Sequence, residues 1–529
     1  MSRSSGGSHS ADIGNNLKIP MFGKGTMSGL IYTFTGNVGN FILVAFTLID
    51  VLKWSPELVF GRVVPGIAIG LFLQGIYYSW MGWRLAKKEG RTDVTALPSG
   101  LSSPAIFVFL FGVVMPLQFA LQATGLEGHE LHLQTYSGAV AACLVGGLVE
   151  MLGGIVSPYI RRYIPRVAML ATVAGVALVW MGTKGLFSVI DQPILAVPIL
   201  FIAILGLIGG YKIKGVDPLF LSFTLGLIGA LVLGYSQFTT QGFGFHLPIP
   251  KVTPVIAGFA LIVPYLTAII PVEIYNFLET MDNVEAAHAS GDSYSVVEAQ
   301  ISNGACTVIS SLFGGIIPNT VWIGHSGLKR SNAGIGYSWL SGVLFMGFAV
   351  VGGFQFLYDL IPISIVGIVY VWCTLTMVVQ TFSDTPRRHA AAAVIALIPQ
   401  VADFVFTQVN STLQSAGIFQ VTAEVEASMI ESGVLWGGLP ALKYGSIITS
   451  MLWAAILAFI IDRQLIRAAV TSFACAAFSF FGLMHSETLG INMGPKLMIG
   501  YLVTALIFVI YHYAEKKKLI DVPRRFDYV

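Results

Sequence analysis

One apolar segment of this sequence, IPVEIYNFLETMDN (270–283), carries a stripe of carboxylates and amides. At ~100° per residue, four polar side chains fall on one face of a helix: Glu273, Asn276, Glu279 and Asn283. Burying a charge at the centre of a membrane helix costs ~2.5–3.5 kcal/mol, so this face should line a cavity or meet a partner. We predict that Glu279 and Asn276 bind a solute. Because burial disfavours an ionised carboxylate, Glu279 is also the predicted acceptor of a coupling proton.

Other acidic residues nearby allow two interpretations. Asp282, with Asn283 and Glu285, either belongs to the same site or marks the cytoplasmic end of the helix. We keep Asp282, Asn283 and Glu273 as secondary candidates. Glu150, in CLVGGLVEMLGG (143–154), is a further buried carboxylate, for which a structural pair is the simpler role.

Two apolar segments contain residues that break helices. TALPSGLSSPAIF (95–107) and PNTVWIGHSGLKR (318–330) each combine proline with glycine. Irregular backbone inside a bilayer leaves N–H and C=O groups unpaired unless protein or a polar cavity satisfies them. Two such segments, one in each half of a chain, are typical of inverted-repeat transporters with a site at the repeat interface. The shared Ser-Gly-Leu, at 99–101 and 326–328, indicates that the segments are repeat counterparts.

The broken segments supply the remaining site candidates. Backbone N–H groups freed by the breaks can contact a solute, which assigns Ser99, Gly100, Leu101 and Gly327 to the site. His325 can change charge in the physiological pH range, so we predict contact with solute or proton; the alternative is a satisfied core histidine. Trp322 either stacks on a planar solute or packs in the protein. The list is completed by Gly324 and, as secondary candidates, Asn319 and Thr320.

Composition identifies the class of protein that must position these residues. Of 529 residues, 55% are hydrophobic and 11% charged, and the mean hydropathy is +0.78. These values predict a polytopic membrane protein. A net charge of +2 indicates no nucleic-acid partner. The cysteines (Cys143, Cys306, Cys373 and Cys475) lack metal-binding spacing, and we predict no metal or cofactor.

A bilayer core of ~30 Å requires about 20 apolar residues per helix. On this basis we predict sixteen crossings: 27–50, 62–85, 94–118, 135–158, 166–188, 193–210, 216–235, 254–281, 298–316, 317–330, 334–357, 362–382, 389–408, 440–461, 466–484 and 495–513. They define a tail (1–26), a first repeat (27–235), a second repeat (254–461), an extra two-span hairpin (462–513) and a basic tail (514–529).

The basic residues predict the orientation of the chain. Most of the 29 Lys and Arg residues fall on one side if the N-terminus is cytoplasmic, as the positive-inside rule requires. The loop 409–439 contains no Lys or Arg and would lie outside. We therefore expect a plasma (inner) membrane protein with both termini in the cytoplasm. The first ~25 residues lack the features of a secretory signal.

The segment FLETMDN (277–283) resembles the eighth-span motif of the nucleobase-ascorbate transporter family, also called nucleobase-cation symporter family 2, which includes xanthine and uracil permeases. Residues 303–330 and 361–372 resemble its ninth to twelfth spans, and residues 95–107 its third. The resemblance covers residues 27–461. It implies an all-α polytopic fold of seven plus seven inverted spans, with short strands in spans three and ten and with core and gate domains. The extra hairpin departs from that pattern.

The resemblance also implies a function. It implies import of a nucleobase or related planar heterocycle, of purine, xanthine or uracil type, by proton symport with elevator-like alternating access in a homodimer; Na⁺ coupling stays open. Glu279 matches the carboxylate that binds the base. In span ten, Gly324-His325 can stand at the family's acid-Asn pair with Gly327 at the motif glycine, or the motif can begin at Pro318-Asn319. Either register lacks the second carboxylate.

Two other classes of protein are considered beside a nucleobase transporter. An anion transporter of the sulfate/bicarbonate type shares the architecture and is the alternative, although an acidic stripe suits an anion poorly. Those proteins usually carry a soluble C-terminal domain, whereas about 16 residues follow the last predicted span. The sequence contains no HExxH, GxSxG or Walker motif, so we do not predict an enzyme.

Overall fold

The computed structural model describes residues 18–211, 213, 218–236, 243–418 and 421–520. Most of the predicted N-terminal tail (1–17) and the end of the predicted C-terminal tail (521–529) lie outside the described residues. The predicted domain boundaries remain a prediction.

The described part of the first half contains ten helices and one strand. They are α1 (Thr26–Phe46), α2 (Pro56–Leu58), α3 (Val64–Glu89), β1 (Ser99–Leu101), α4 (Ser103–Phe109), α5 (Met115–Ala123), α6 (Gly128–Tyr163), α7 (Arg166–Val176), α8 (Thr183–Asp191), α9 (Pro193–Leu207) and α10 (Pro218–Val232). Four π-helical segments extend or join them: Thr47–Val51, Val59–Val63, Leu110–Val114 and Ala177–Gly182.

The second half again combines helices with one strand. Its elements are α11 (Val252–Ile262), α12 (Leu266–Ala289), α13 (Val296–Leu312), β2 (Asn319–Val321), α14 (His325–Arg330), α15 (Gly336–Val350), α16 (Gly353–Leu360), α17 (Ile363–Ser383), α18 (Ala390–Ile395), α19 (Leu397–Ser415), α20 (Ala423–Glu431), α21 (Leu439–Lys443), α22 (Ser446–Ile461), α23 (Leu465–Phe481) and α24 (Pro495–Lys516). Short 3₁₀ segments cover Val263–Tyr265 and Arg387–His389.

Several helices are long and apolar enough to cross a membrane. Among the described residues there are 7 by length and composition: Thr26–Val51, Pro56–Glu89, Gly128–Val156, Arg166–Asp191, Ile363–Ser383, Arg387–Ser415 and Pro495–Lys516. Shorter apolar helices accompany them. The chain is therefore an integral, multi-pass membrane protein.

Besides the two broken segments, two predicted crossings are not single helices. The predicted crossing 254–281 divides at the 3₁₀ segment Val263–Tyr265, between α11 and α12. Within 334–357, α15 and α16 meet at an angle of 84°. Gly352 stands between them with φ +76°, a left-handed conformation that ends α15 and redirects the chain.

The two broken crossings meet through their strands. β1 and β2 pair antiparallel, with Ser99 opposite Val321, Gly100 opposite Thr320 and Leu101 opposite Asn319. The predicted short strands in spans three and ten are confirmed.

The two Ser-Gly-Leu tripeptides occupy different positions within the broken segments. Residues 99–101 form β1, whereas 326–328 lie in α14, and the partner of β1 is Asn319–Val321. Gly324, with φ +109°, ends the extended segment and starts the helix before the second tripeptide is reached.

Helices pack closely through small residues around the strand pair. A Cβ on Gly304 of α13 would stand 2.5 Å from the carbonyl oxygen of Gly147 on α6, so these helices touch through their backbones. The extra hairpin packs on α22, where Trp453 Nε1 donates to the Tyr501 hydroxyl of α24 at 2.7 Å.

Candidate functional site

Glu279 lies where β1 meets α4. Its side chain is buried, with 3% exposed, and accepts a hydrogen bond from the Ser102 hydroxyl, the first residue after β1. Ser102 Oγ also accepts from the Ala105 amide at 3.1 Å, as a cap at the start of α4. The break in span three thus brings a hydroxyl to the predicted carboxylate.

Two amides of α1 satisfy the backbone of β1 around Leu101. Asn37 Oδ1 accepts from the Leu101 amide at 2.9 Å, and Asn40 Nδ2 donates to the Leu101 carbonyl at 3.0 Å. A short strand in a membrane requires such partners, because unpaired backbone groups there cost several kcal/mol each. Neither asparagine is among the site residues predicted from the sequence.

Glu150 anchors a buried polar network behind β2. Its carboxylate accepts from Thr280 Oγ1 at 3.0 Å, from Asn276 Nδ2 at 3.1 Å and from Asn303 Nδ2. Asn276 and Asn303 also donate to the Asn319 carbonyl, at 2.9 and 3.1 Å. The carboxylate is therefore solvated by amides and a hydroxyl, and the same groups hold β2 in place.

The other strand contacts extend this network. The hydroxyls of Thr320 and Thr280 lie 3.1 Å apart, and Gln74 Nε2 donates to the Thr320 carbonyl at 2.9 Å. Asn283 Nδ2 donates to the Val321 carbonyl at 2.6 Å. Of the predicted stripe, Asn276 and Asn283 thus serve the strand.

Two secondary candidates lie in different surroundings. Glu273 is fully buried against Gly146 of α6, and its oxygens have no hydrogen-bond partner among the described residues. Asp282, by contrast, lines a small space together with Glu279. The structure thus brings Asp282 to Glu279 and places Glu273 elsewhere.

His325 belongs to an ionic cluster at one end of α14. Its Nε2 lies 3.0 Å from Asp292 Oδ2, and Lys329 Nζ and Arg91 Nη2 each lie 2.8 Å from Asp292 Oδ1. The Thr95 amide also donates to Asp292 at 3.1 Å. One carboxylate therefore joins the segment before β1, the α12–α13 loop and α14.

The donors around Asp292 control its ionisation. Burial by itself would raise the pKa of Asp292, but the hydrogen bonds, led by the one from His325, outweigh burial. They hold the pKa at about 2, below its ordinary value of 3.8. The carboxylate stays charged at neutral pH.

Trp322 packs in the protein. It is 3% exposed and lies 5.2 Å from the Tyr32 ring, between centroids. Cβ atoms added to Gly36 or Gly100 would collide with the indole, at 1.9 and 2.7 Å. Of the two interpretations of Trp322, the structure supports packing, because two glycines make room for its ring.

A large cavity, the vestibule, lies beside the strand pair. It has a volume of about 880 Å³. Its lining includes the aromatic residues Tyr32 and Trp372, the predicted residues Asn283, Gly324, His325 and Gly327, and the charged residues Arg166, Arg330 and Asp384. A smaller space of about 20 Å³, the deep space, is bordered by Glu279 and Asp282. Asn283, Ile323 and Gln380 line both, so the deep space adjoins the vestibule.

Comparisons with known proteins give a fold. No family model and no curated protein matches the sequence. The structure resembles the transmembrane domain of BicA, a bicarbonate transporter of a cyanobacterium, with TM-score 0.50 and 13% identity over 74% of this chain and 100% of that one. Two matches have lower scores. SLC26A9 matches with TM-score 0.44 and 12% identity over 68% of this chain and 65% of that one. Murine SLC26A9, an anion transporter in the inward-facing state, matches with TM-score 0.40 and 12% identity over 78% of this chain and 74% of that one.

The matches do not support the nucleobase-ascorbate family in particular, and nucleobase import receives no support from them. At 13% identity the likeness to BicA concerns architecture alone. The chain has the fold of the BicA transmembrane domain, with a core and a gate.

Proposed function

We propose that this chain is a secondary active transporter that moves a small planar solute together with a cation. The observation that carries the proposal is the position of Glu279: it lies at the paired strand breaks and borders the deep space next to the vestibule. Transporters built from inverted repeats place their sites at such breaks, where freed backbone groups and half-helix ends contact the solute.

Buried acids support cation coupling. Glu150, Glu273, Glu279 and Asp282 all lie on or against α12. An ionised carboxylate inside a membrane is expensive unless it is paired or protonated. A proton or Na⁺ at Glu279 would remove this cost at the moment of solute binding, and Asp282 offers a second acidic group on the same space.

The first candidate solute is a small anion of the bicarbonate type. The BicA domain, whose fold this chain shares, belongs to a bicarbonate transporter. Arg330 lines the vestibule and would attract an anion, whereas Arg166, also in the lining, is already paired with Asp384 at 3.2 Å. Because Glu279 would repel an anion, this candidate requires the coupling cation to bind first or together with it.

The second candidate is a nucleobase. Its support is chemical: Glu279 beside Ser102 offers a hydrogen-bond acceptor for ring N–H groups, and Tyr32 and Trp372 supply aromatic surface in the vestibule. A neutral heterocycle would also tolerate the acidic surroundings. The sequence resemblance favours this candidate, and the structural comparisons favour the first.

The size of the deep space implies movement during transport. About 20 Å³ accommodates one water molecule but neither candidate solute. Met377, Gln380 and Thr381 of α17 form its wall opposite Glu279. Solute binding therefore requires α17 to separate from α12, as expected when a core domain slides against a gate in elevator-like alternating access.

Uptake into proteoliposomes tests the proposal. Labelled bicarbonate and labelled xanthine or uracil are compared under imposed H⁺ or Na⁺ gradients, with Glu279→Gln as the test variant and Glu424→Gln, on the exposed helix α20, as the matched control. We expect gradient-driven uptake of one solute, reduced at least tenfold in Glu279→Gln and unchanged in the control. Absence of gradient-driven uptake of every solute, or full cation dependence in Glu279→Gln, would contradict it.

A further inference from the structure

A second, apolar groove lies on the outer surface of α3, away from the site. It has a volume of about 340 Å³ and is lined by Met21, Ile76, Ser79, Trp80, Trp83 and Trp339. Trp80 is 44% and Trp83 38% exposed, which is unusual for tryptophan in a water-soluble setting but normal at a membrane surface.

The groove offers apolar contacts. Ser79 contributes a hydroxyl group to the lining of the groove. The Ser79 Oγ already donates to the Ile335 carbonyl at 3.0 Å and accepts from the Trp339 backbone amide at 3.0 Å. A hydrocarbon chain can therefore lie in the groove without stripping water from an unsatisfied hydroxyl.

The position of the groove along α3 places one end at a bilayer surface. It follows the last turns of the helix, from Ile76 to Trp83, a rise of roughly 10 Å. Tryptophan concentrates at the level of lipid headgroups. Lys87 and Lys88, in the last turn of α3, lie about one turn beyond Trp83, where phosphate groups would be.

The charges at that end are basic. The Lys87 ammonium lies 5.4 Å from the Trp83 ring centroid, at the rim of the groove, and is exposed like Lys88. Neither lysine forms an ion pair with a residue that the structure describes. The nearby acid Glu89 is already paired with Arg91 at 2.6 Å, and Arg84, whose guanidinium carbon lies 4.6 Å from the Trp80 ring centroid, is paired with Glu298.

We propose that this groove binds an anionic phospholipid, with an acyl chain along Ile76, Trp80 and Trp83 and the headgroup phosphate at Lys87 and Lys88. Charge complementarity selects this occupant: a zwitterionic lipid fits the groove equally well but brings its own positive group to the lysines. Two lysines therefore give a preference of roughly tenfold or more for the anionic lipid.

Lipid titrations of the purified full-length chain in detergent test this proposal without any transport assay. Phosphatidylglycerol and phosphatidylcholine with identical acyl chains are compared by the shift they produce in melting temperature. The test variant is Lys87→Gln/Lys88→Gln, and the matched control is Lys516→Gln/Lys517→Gln, at the basic end of α24. We expect half-maximal stabilisation at about tenfold lower phosphatidylglycerol than phosphatidylcholine in the wild type and the control, and equal concentrations in the test variant.

A second measurement locates the acyl chain. Phosphatidylglycerol with brominated chains should quench tryptophan fluorescence, and Trp80→Phe/Trp83→Phe should remove a large part of that quenching while Trp436→Phe, remote in sequence on the α20–α21 connection, should not. Equal stabilisation by both lipids in the wild type, or an undiminished preference in Lys87→Gln/Lys88→Gln, would reduce the groove to a general lipid-facing surface and overturn the proposal. Because these readouts report binding, they fail or succeed separately from the proposed transport function.

Discussion

Glu150 and Glu273 are both fully buried carboxyl groups, yet their surroundings predict opposite responses to neutralisation. Glu150 accepts hydrogen bonds from Asn276, Thr280 and Asn303. In Glu150→Gln an NH₂ group would face one or more of these donors, leaving donors unpaired at about 1–3 kcal/mol. Glu273 has no described hydrogen-bond partner to lose.

We therefore expect Glu150→Gln to lower the melting temperature by several degrees and to impair uptake, whereas Glu273→Gln should melt near the wild-type temperature. Melting of the two purified variants, side by side in one detergent, is the measurement. Equal melting temperatures would show that the network around Glu150 does not stabilise the fold and that it is not what holds β2 in place.

Asp292 predicts a pH dependence of stability. Its folded-state pKa of about 2 lies below the ordinary 3.8, so the carboxylate stabilises the fold above the unfolded pKa and loses that contribution as the pH falls towards 2. The shift corresponds to roughly 2 kcal/mol at neutral pH. Asp292→Asn should lower the melting temperature at pH 7, and its difference from wild type should shrink between about pH 5 and pH 3. Glu424→Gln is the surface control. A difference between Asp292→Asn and wild type that is constant over this range would contradict the stabilising role of the Asp292 carboxylate.

At the scale of elements, the two Ser-Gly-Leu glycines should tolerate alanine differently. A Cβ on Gly100 would lie 2.7 Å from Trp322 Cγ and 2.9 Å from Asn37 Oδ1, whereas a Cβ on Gly327 has nothing within 4 Å. Overpacking costs about 1–3 kcal/mol, so Gly100→Ala should lower the melting temperature and disturb the β1–β2 pair. Gly327→Ala should fold like wild type. If both variants melt alike, the close packing of Trp322 on β1 is not what fixes the strand pair.

The broken crossings could be predicted from the sequence, but their pairing could not. Proline and glycine at membrane depth exclude continuous helices by local chemistry alone, so the breaks near Pro98 and Gly324 were evident. Which three residues oppose β1 depends on tertiary contacts. Three identical residues do not specify a conformation: Ser-Gly-Leu forms β1 at 99–101 but lies in α14 at 326–328.

The candidate site shows the same division. Glu279 and Asn276 were predictable because a helical period places them on one face of α12. Ser102 and Asp292 were missed because their roles arise from contacts with Glu279, 177 positions away, and with His325, 33 positions away. Ser102 had a weak local signal, since serine before Ser103-Pro104 is a favourable helix start. Asn37 and Asn40, on the apolar helix α1, were recognisable as buried amides that require partners.

At the scale of the whole molecule, the vestibule and the basic loops make a joint prediction about the orientation of the protein in the membrane. Ser383, at the end of α17, lines the vestibule, and Ser432, after α20, lies in the loop that contains no Lys or Arg. If the positive-inside rule holds, the vestibule opens towards the cytoplasm and Ser432 lies outside. The transport cycle would then be in its inward-facing arrangement, with the solute released near Arg166 and Arg330.

Cysteine labelling with a membrane-impermeant thiol reagent distinguishes the two orientations. The native cysteines are buried, but Cys373 lines the vestibule, so a background without native cysteines is required. In intact cells, Ser432→Cys should react and Ser383→Cys should not, and inside-out vesicles should reverse this pattern. Addition of the transported solute with its cation should slow the labelling of Ser383→Cys, because solute in the vestibule would shield this position. Labelling of Ser383→Cys in intact cells under all conditions would instead place the vestibule on the outer face. The vestibule would then be the side from which the solute enters the protein, not the side on which it is released.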